Sequence, residues 1–151
     1  KLYEEGLARA IGVCNFRPED LENLMKQANI VPSVNQVEMH PYLQQPALVE
    51  YCQAHNIRME SWGTFTAGQT ELLRDPVLIE IGKLYQKSSA QVILRWLYQR
   101  GIVSLVKSAN SQRQMQNQDI FDFTLTDADM RRIAAMDCNH RCGRDPANSD
   151  F

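Results

Sequence analysis

The 151-residue sequence predicts an α/β protein built on a parallel sheet, and three observations lead there. Short apolar runs alternate four times with segments of helical spacing, the pattern of strand–helix units. The runs are too short and too continuously apolar to be amphipathic hairpins, so helices must cover them. Each unit also carries polar residues at the end of its strand: Cys14-Asn15, Asn35-Gln36, Trp62-Gly63 and Lys107-Ser108. A doubly wound nucleotide-binding sheet would show G-x-G-x-x-G after a strand. The seven glycines (6, 12, 63, 68, 82, 101 and 143) never form it. A (β/α) barrel instead places function at the C-terminal strand ends and often holds phosphate after its last two strands. The polar strand ends fit the barrel better.

In chain order, Arg9 to Val13 reads as the first strand. Pro18 then opens a helix carrying Leu21, Leu24, Met25 and Ala28. Val31 to Glu38 is the second strand, ended by Pro41, and Pro46 suits the first turn of the helix bearing Leu48, Val49 and Cys52. Asn56 is a stop signal. Ile57 to Trp62 is the third strand, followed by a loop with Gly63, Thr64, Thr66, Gly68 and Thr70. A helix spans about Pro76 to Tyr85, and Ser88-x-x-Gln91 is a capping box for the next, which stops at Gly101. Thr126-x-x-Asp129 caps a last helix with Met130, Ile133 and Ala134, and the tail is polar and irregular.

Gly101 to Asn117 is the most informative stretch. Ile102 to Val106 reads as a buried β-branched strand, Lys107-Ser108 breaks it, and from Ser111 the chain is polar and helix-compatible. A strand, a polar turn and a helix N-terminus make an anion site, because the first helical turn presents unpaired N–H groups. Lys107 adds a charge, and Arg113 a planar fork suited to phosphate or to stacking on a base. A phosphate or nucleotide cradle and an ordinary solvated loop both remain open on this stretch alone.

Bulk properties exclude several classes. The length suits one domain with a real core, and 44% hydrophobic with 23% charged residues is ordinary for a globular chain. A net charge of −2 points away from nucleic acid and membrane surfaces. No apolar run reaches spanning length, the first residues lack a signal-peptide core, and the four scattered cysteines suit reduced thiols, so a cytoplasmic protein is expected. Cys138-Asn139-His140-Arg141-Cys142 invites a metal reading. It supplies too few ligands, and His40 and His55 show no partner pattern, so no metal is expected.

At its four strand ends the chain resembles the aldo-keto reductases. RAIGVCNF is similar to the family's strand-five motif, VNQVEMHP to strand six, ESWGTF to a variant of strand seven, and VKSANSQRQMQN to the strand-eight cofactor motif. The tail GRDPANSDF is similar to that of short bacterial-type members. The resemblance covers almost the whole chain in order. It implies a closed eight-stranded (β/α)8 barrel that reduces aldehydes and ketones with NADPH. Residues 1–151 would supply its C-terminal half, strands five to eight with their helices, without an internal boundary.

By position, the resemblance puts Asn15 and Gln36 at the nicotinamide carboxamide, with Cys14 where the family usually has Ser. Trp62 falls where an aromatic stacks on the nicotinamide ring. Lys107, Ser108 and Arg113 match residues that hold the 2′-phosphate, and charge-assisted contacts would favour NADPH over NADH. Gln116 and Asn117 match the adenine positions, Gln116 replacing a usual Glu. Gly63 and Phe65 lie in the loop that normally covers the pyrophosphate; Gly63-Thr64-Phe65-Thr66 departs from a Ser-Pro-Leu-Gly-like pattern, which puts its closure in question. Val106 replaces a common Pro. His40 reads as structural.

The family's chemistry also needs a Tyr proton donor, a Lys, an Asp and a His from the first half of the barrel. Their motifs do not occur here, and none of the tyrosines (3, 42, 51, 85 and 98) sits in one. The opening KLYEEG reads as the end of a helix. The chain is therefore expected to hold the cofactor but to reduce no carbonyl unaided, since a positioned acid typically supplies ~10² to 10⁴ in rate. It would be a segment of a full-length reductase, a gene product pairing with a second copy or with a separate first half, or a non-catalytic nucleotide-binding or self-associating interaction module. Small aldehydes, keto acids and sugar-derived ketones are the substrate class implied.

Overall fold

A computed structural model describes residues 1–148; Ser149 to Phe151, the end of the GRDPANSDF tail, lie outside the described residues. Among the described residues four strands form one sheet: β1 (Gly12–Cys14), β2 (Val34–Glu38), β3 (Arg58–Trp62) and β4 (Val103–Ser104). All pairs are parallel and the spatial order is sequential, β1-β2-β3-β4. A doubly wound sheet reverses its order at a switch point. This one does not, so its helices α1 (Pro18–Met25), α2 (Pro46–Ala54), α3 (Pro76–Tyr85) and α4 (Ser89–Gln99) follow a progression in one direction. Two more α-helices follow among the described residues, α5 (Ser111–Gln118) and α6 (Asp127–Ala134).

Alternation along the strands decides which side is packed. Asn35, Val37, Met59 and Ser61 are buried, and Val37 and Met59 share a core with Leu21, Leu48, Cys52, Ile81, Ile93 and Trp96. The intervening Gln36, Glu60 and Trp62 stand on the opposite, partly open face. All four strands are shorter than the apolar runs suggest. A ladder lasts only while a neighbour is in register, and β1 and β4 each have one neighbour among the described residues. The expected buried strand over 102–106 shrinks to two residues. Ile102 is buried, but Val103 and Leu105 are 46% and 41% exposed, because their face of the sheet has no cover.

Helix starts follow local chemistry. Pro18, Pro46 and Pro76 occupy first turns, where a missing N–H costs nothing. Ser88 and Gln91 form the expected capping box, as do Thr126 and Asp129. Asn110 caps α5, its side chain accepting from the Arg113 N–H at 3.0 Å. Helix α1 stops at Met25, short of Ala28. The α3–α4 turn is so tight that a Cβ on Gly82 would sit 2.4 Å from the Lys87 carbonyl oxygen.

Candidate functional site

The C-terminal ends of the strands carry two clusters. Six residues singled out in the sequence, Phe65, Lys107, Ser108, Arg113, Gln116 and Asn117, line one cleft of about 710 Å³. The cleft lies between the loop after β3 and the β4–α5 connection. Ser108 shapes its floor: its Oγ accepts from the Asn110 N–H at 3.2 Å and its carbonyl from Gln114 Nε2 at 2.7 Å. Lys107 and Arg113 are exposed and form no ion pair among the described residues, so both are available to an anion. Asn110 occupies one first-turn N–H of α5 and leaves others open.

The loop after β3 is ordered by hydroxyls rather than by prolines. Ser61 Oγ and Thr64 Oγ1 lie 2.8 Å apart, and Thr66 Oγ1 and Thr70 Oγ1 lie 2.7 Å apart. Two short 3₁₀ turns, Thr66–Gly68 and Leu72–Arg74, result. Gly63 has φ +63°, and Thr66 and Ala67 share the left-handed region at +55° and +50°. That region is strained for a β-branched residue. Gly63 itself packs toward Glu38, and Phe65 turns into the cleft.

The second cluster lies at the ends of β1 to β3. Asn15 leaves β1 at φ +59°, its N–H donating to the Gln36 carbonyl at 2.8 Å. Trp62 Nε1 donates to Asn15 Oδ1 at 2.7 Å, and Gln36 Nε2 donates to Glu60 Oε2 at 3.1 Å. Cys14 sits exposed at the edge in register with Gln36, its thiol pushed up by partial burial. Cys14, Asn15, Gln36 and Trp62 thus stand together. A cation-lined cleft and a cluster of amide side chains lie along one end of the sheet, as an elongated dinucleotide requires. A further cleft of about 260 Å³ lies among Asn56, Arg58 and Gly101 at the opposite strand ends and holds none of these residues.

One cluster went unread in the sequence. Glu38, fully buried, takes the Cys142 N–H at 2.6 Å on Oε1 and the Gly143 N–H at 3.0 Å on Oε2. His40, also fully buried, places Nε2 3.1 Å from Glu38 Oε1. Burial alone would raise the Glu38 carboxyl; the two backbone N–H groups and His40 outweigh it and hold the carboxyl below its usual range. Burial pushes His40 down, partly offset by Glu38. Gly143 is required here, since a Cβ would meet the Trp62 ring at 2.3 Å. The carboxylate therefore clamps the tail against Trp62. Glu38, His40 and Cys142 do bring three possible ligand atoms within 4.8 Å, a different grouping from Cys138-x-His140-x-Cys142. The Glu38 oxygens already accept the tail's N–H groups. In the sequence Glu38 shows only as a further polar residue in β2 after Asn35 and Gln36, with nothing to mark its partners.

Two tyrosines move away from acid chemistry. Tyr42 donates to Asp75 at 2.7 Å and is pushed up to about 12 by burial and that carboxylate, and Tyr85, bonded to Asp129, is raised for the same two reasons. Among the described residues no helix is long and apolar enough to cross a membrane.

A family model described as the Aldo/keto reductase family matches residues 1–137. The uncharacterized oxidoreductase YtbE of Bacillus subtilis (strain 168) is 50% identical over 150 residues, covering 99% of this chain and 53% of that protein. A glyoxal reductase of the same organism is 47% identical, covering 97% of this chain and 52% of its own length. The crystal structure of a Gox0644 mutant in complex with NADPH superimposes with a TM-score of 0.93 at 40% identity, covering 99% of this chain and 55% of that one. The chain spans about half the length of the curated relatives it matches.

Proposed function

The chain belongs to the aldo-keto reductase family, and on that premise we propose that residues 1–151 are the C-terminal, cofactor-holding half of an NADPH-dependent barrel reductase of small aldehydes and ketones. The observation that carries this is the cleft that gathers Lys107, Ser108, Arg113, Gln116 and Asn117, its two cations without an ion pair among the described residues, at the same end of the sheet as the amides of β1 and β2. In this reading Lys107, Ser108 and Arg113 grip the 2′-phosphate, Gln116 and Asn117 face the adenine, and Gly63 and Phe65 cover the pyrophosphate. Cys14, Asn15 and Gln36 surround the carboxamide, and Trp62 lies against the nicotinamide ring.

The donor set fits the cofactor. Two cations suit a phosphate dianion, and the side-chain amides suit a carboxamide, which both donates and accepts. NADPH bound here supplies a hydride. This chain's own residues bind and orient it, fixing which face of the ring meets the substrate. In this reading the proton that a carbonyl oxygen must acquire comes from outside this segment, which is supported by Tyr42 and Tyr85 holding theirs more tightly than usual. The Tyr, Lys, Asp and His of the family's chemistry would come from strands one to four. Those strands, in a full-length chain or a separate first half, would also cover the open face bearing Val103 and Leu105, which a second copy could cover without supplying those four residues.

Titrating NADPH and NADH against the purified chain tests the proposal. NADPH is expected to bind at least tenfold tighter, and Lys107→Ala to remove most of that preference, while an aldehyde induces no NADPH oxidation. Oxidation by the chain alone that Lys107→Ala abolishes would overturn the division of labour; equal affinity for both cofactors would overturn the 2′-phosphate assignment. The protein is proposed to work in the cytoplasm.

A further inference from the structure

An amide side chain has two ends: its oxygen accepts and its nitrogen donates. Which end faces a ligand decides what the ligand must be. Two amides bound the nicotinamide end of the proposed site, and in each one end is already engaged. On the open face of the sheet Gln36 Nε2 donates to Glu60 Oε2 at 3.1 Å, the two residues standing in register on β2 and β3. A Glu carboxylate only accepts, so it holds the nitrogen end and turns Gln36 Oε1 away from itself. At the end of β1 the Trp62 indole N–H donates to Asn15 Oδ1 at 2.7 Å. An indole only donates, so it holds the oxygen end and leaves Asn15 Nδ2 outward.

Neither Asn15 Nδ2 nor Gln36 Oε1 has a hydrogen-bond partner among the described residues. The backbone keeps the two residues adjacent, through the bond from the Asn15 N–H to the Gln36 carbonyl. One donor and one acceptor, each with its amide orientation fixed from behind, therefore stand side by side.

We propose that Glu60 is a positioning residue that acts through Gln36. With the Trp62-held Asn15 it gives the site a fixed donor–acceptor polarity, which accepts a primary carboxamide and rejects the corresponding carboxylate. A carboxamide places its oxygen on Asn15 Nδ2 and its NH₂ on Gln36 Oε1. A carboxylate satisfies Asn15 but sets its second oxygen against the Gln36 oxygen, with the Glu60 charge behind it. Glu60 touches no ligand in this scheme. Without it Gln36 is free to turn and offer its nitrogen instead.

The proposal rests on the cofactor reading above, and the probes separate the two. NADP⁺ carries the carboxamide, nicotinic acid adenine dinucleotide phosphate carries the carboxylate, and 2′,5′-ADP carries neither but retains the 2′-phosphate and adenine. The wild-type chain is expected to bind NADP⁺ at least about tenfold tighter than the acid analogue, the scale of one mismatched buried hydrogen bond. In Glu60→Gln, whose amide can offer either end to Gln36, that ratio is expected to fall to about threefold or less, with 2′,5′-ADP affinity unchanged as the sign of an intact fold. A wild-type chain that does not discriminate, or a Glu60→Gln ratio equal to wild type while 2′,5′-ADP still binds, overturns the role of Glu60 and leaves the cofactor reading standing. Failure of the wild-type chain to bind 2′,5′-ADP or NADP⁺ overturns both.

Discussion

Glu38→Gln exchanges one oxygen for an NH₂ group where both oxygens accept backbone N–H groups of the tail, at 2.6 Å from Cys142 and 3.0 Å from Gly143. The remaining oxygen keeps one of these bonds, but as a neutral bond in place of a charge-assisted one, a loss of about 1 kcal/mol. The new NH₂ points at the other donor. That forfeits about 1.5 kcal/mol and leaves a buried N–H unsatisfied, for a further ~1 kcal/mol. The sum is about 3.5 kcal/mol. It falls on an irregular segment that packs outside the sheet and helices, so the expected response is local release around Cys142 and Gly143 rather than global unfolding. At 1.36 kcal/mol per factor of ten, amide-exchange protection of Cys142 and Gly143 should fall roughly 400-fold. Trp62 fluorescence should shift with it, because Gly143 seats against the indole. Protection within about threefold of wild type at both amides would refute the clamp.

Lowering the pH should weaken the same cluster in two stages. His40 is held below its ordinary value of 6.5, so the unfolded chain takes up a proton that the folded one refuses, and stability declines as pH falls below about 6.5. Glu38 is held below its ordinary 4.5, so its contribution is complete above that value and is lost as pH falls through the folded pKa. Urea midpoints measured from pH 7 to pH 3 would show this, and His40→Gln should remove the first stage; a wild-type midpoint flat down to pH 5 would contradict it. Gly82→Ala should cost about 2 kcal/mol or more, because its Cβ would meet backbone at Lys87 rather than a flexible side chain. A thermal midpoint within about 1 °C of wild type would show that the α3–α4 turn can open without cost.

Parts of this protein were legible residue by residue. Ser88 with Gln91 and Thr126 with Asp129 start helices through bonds three residues long, and Pro46 and Pro76 act through their own rings. Such signals need nothing beyond the adjacent chain, so those helix starts stand where the sequence puts them. The polar strand ends were likewise legible as motifs, down to the cleft residues Lys107, Ser108 and Arg113.

Tertiary structure alone decided strand length, since β1 and β4 extend only as far as a single neighbour keeps register. It alone joined Glu38 to Cys142 across 104 residues, Trp62 to Asn15 across 47, and Gln36 to Glu60 across 24. Each of these bonds spans separate elements, and its free energy is realised only once the sheet has fixed which side chains face each other. Composition named the amides and the carboxylates. The register of three parallel strands chose which end of each amide is left for a ligand.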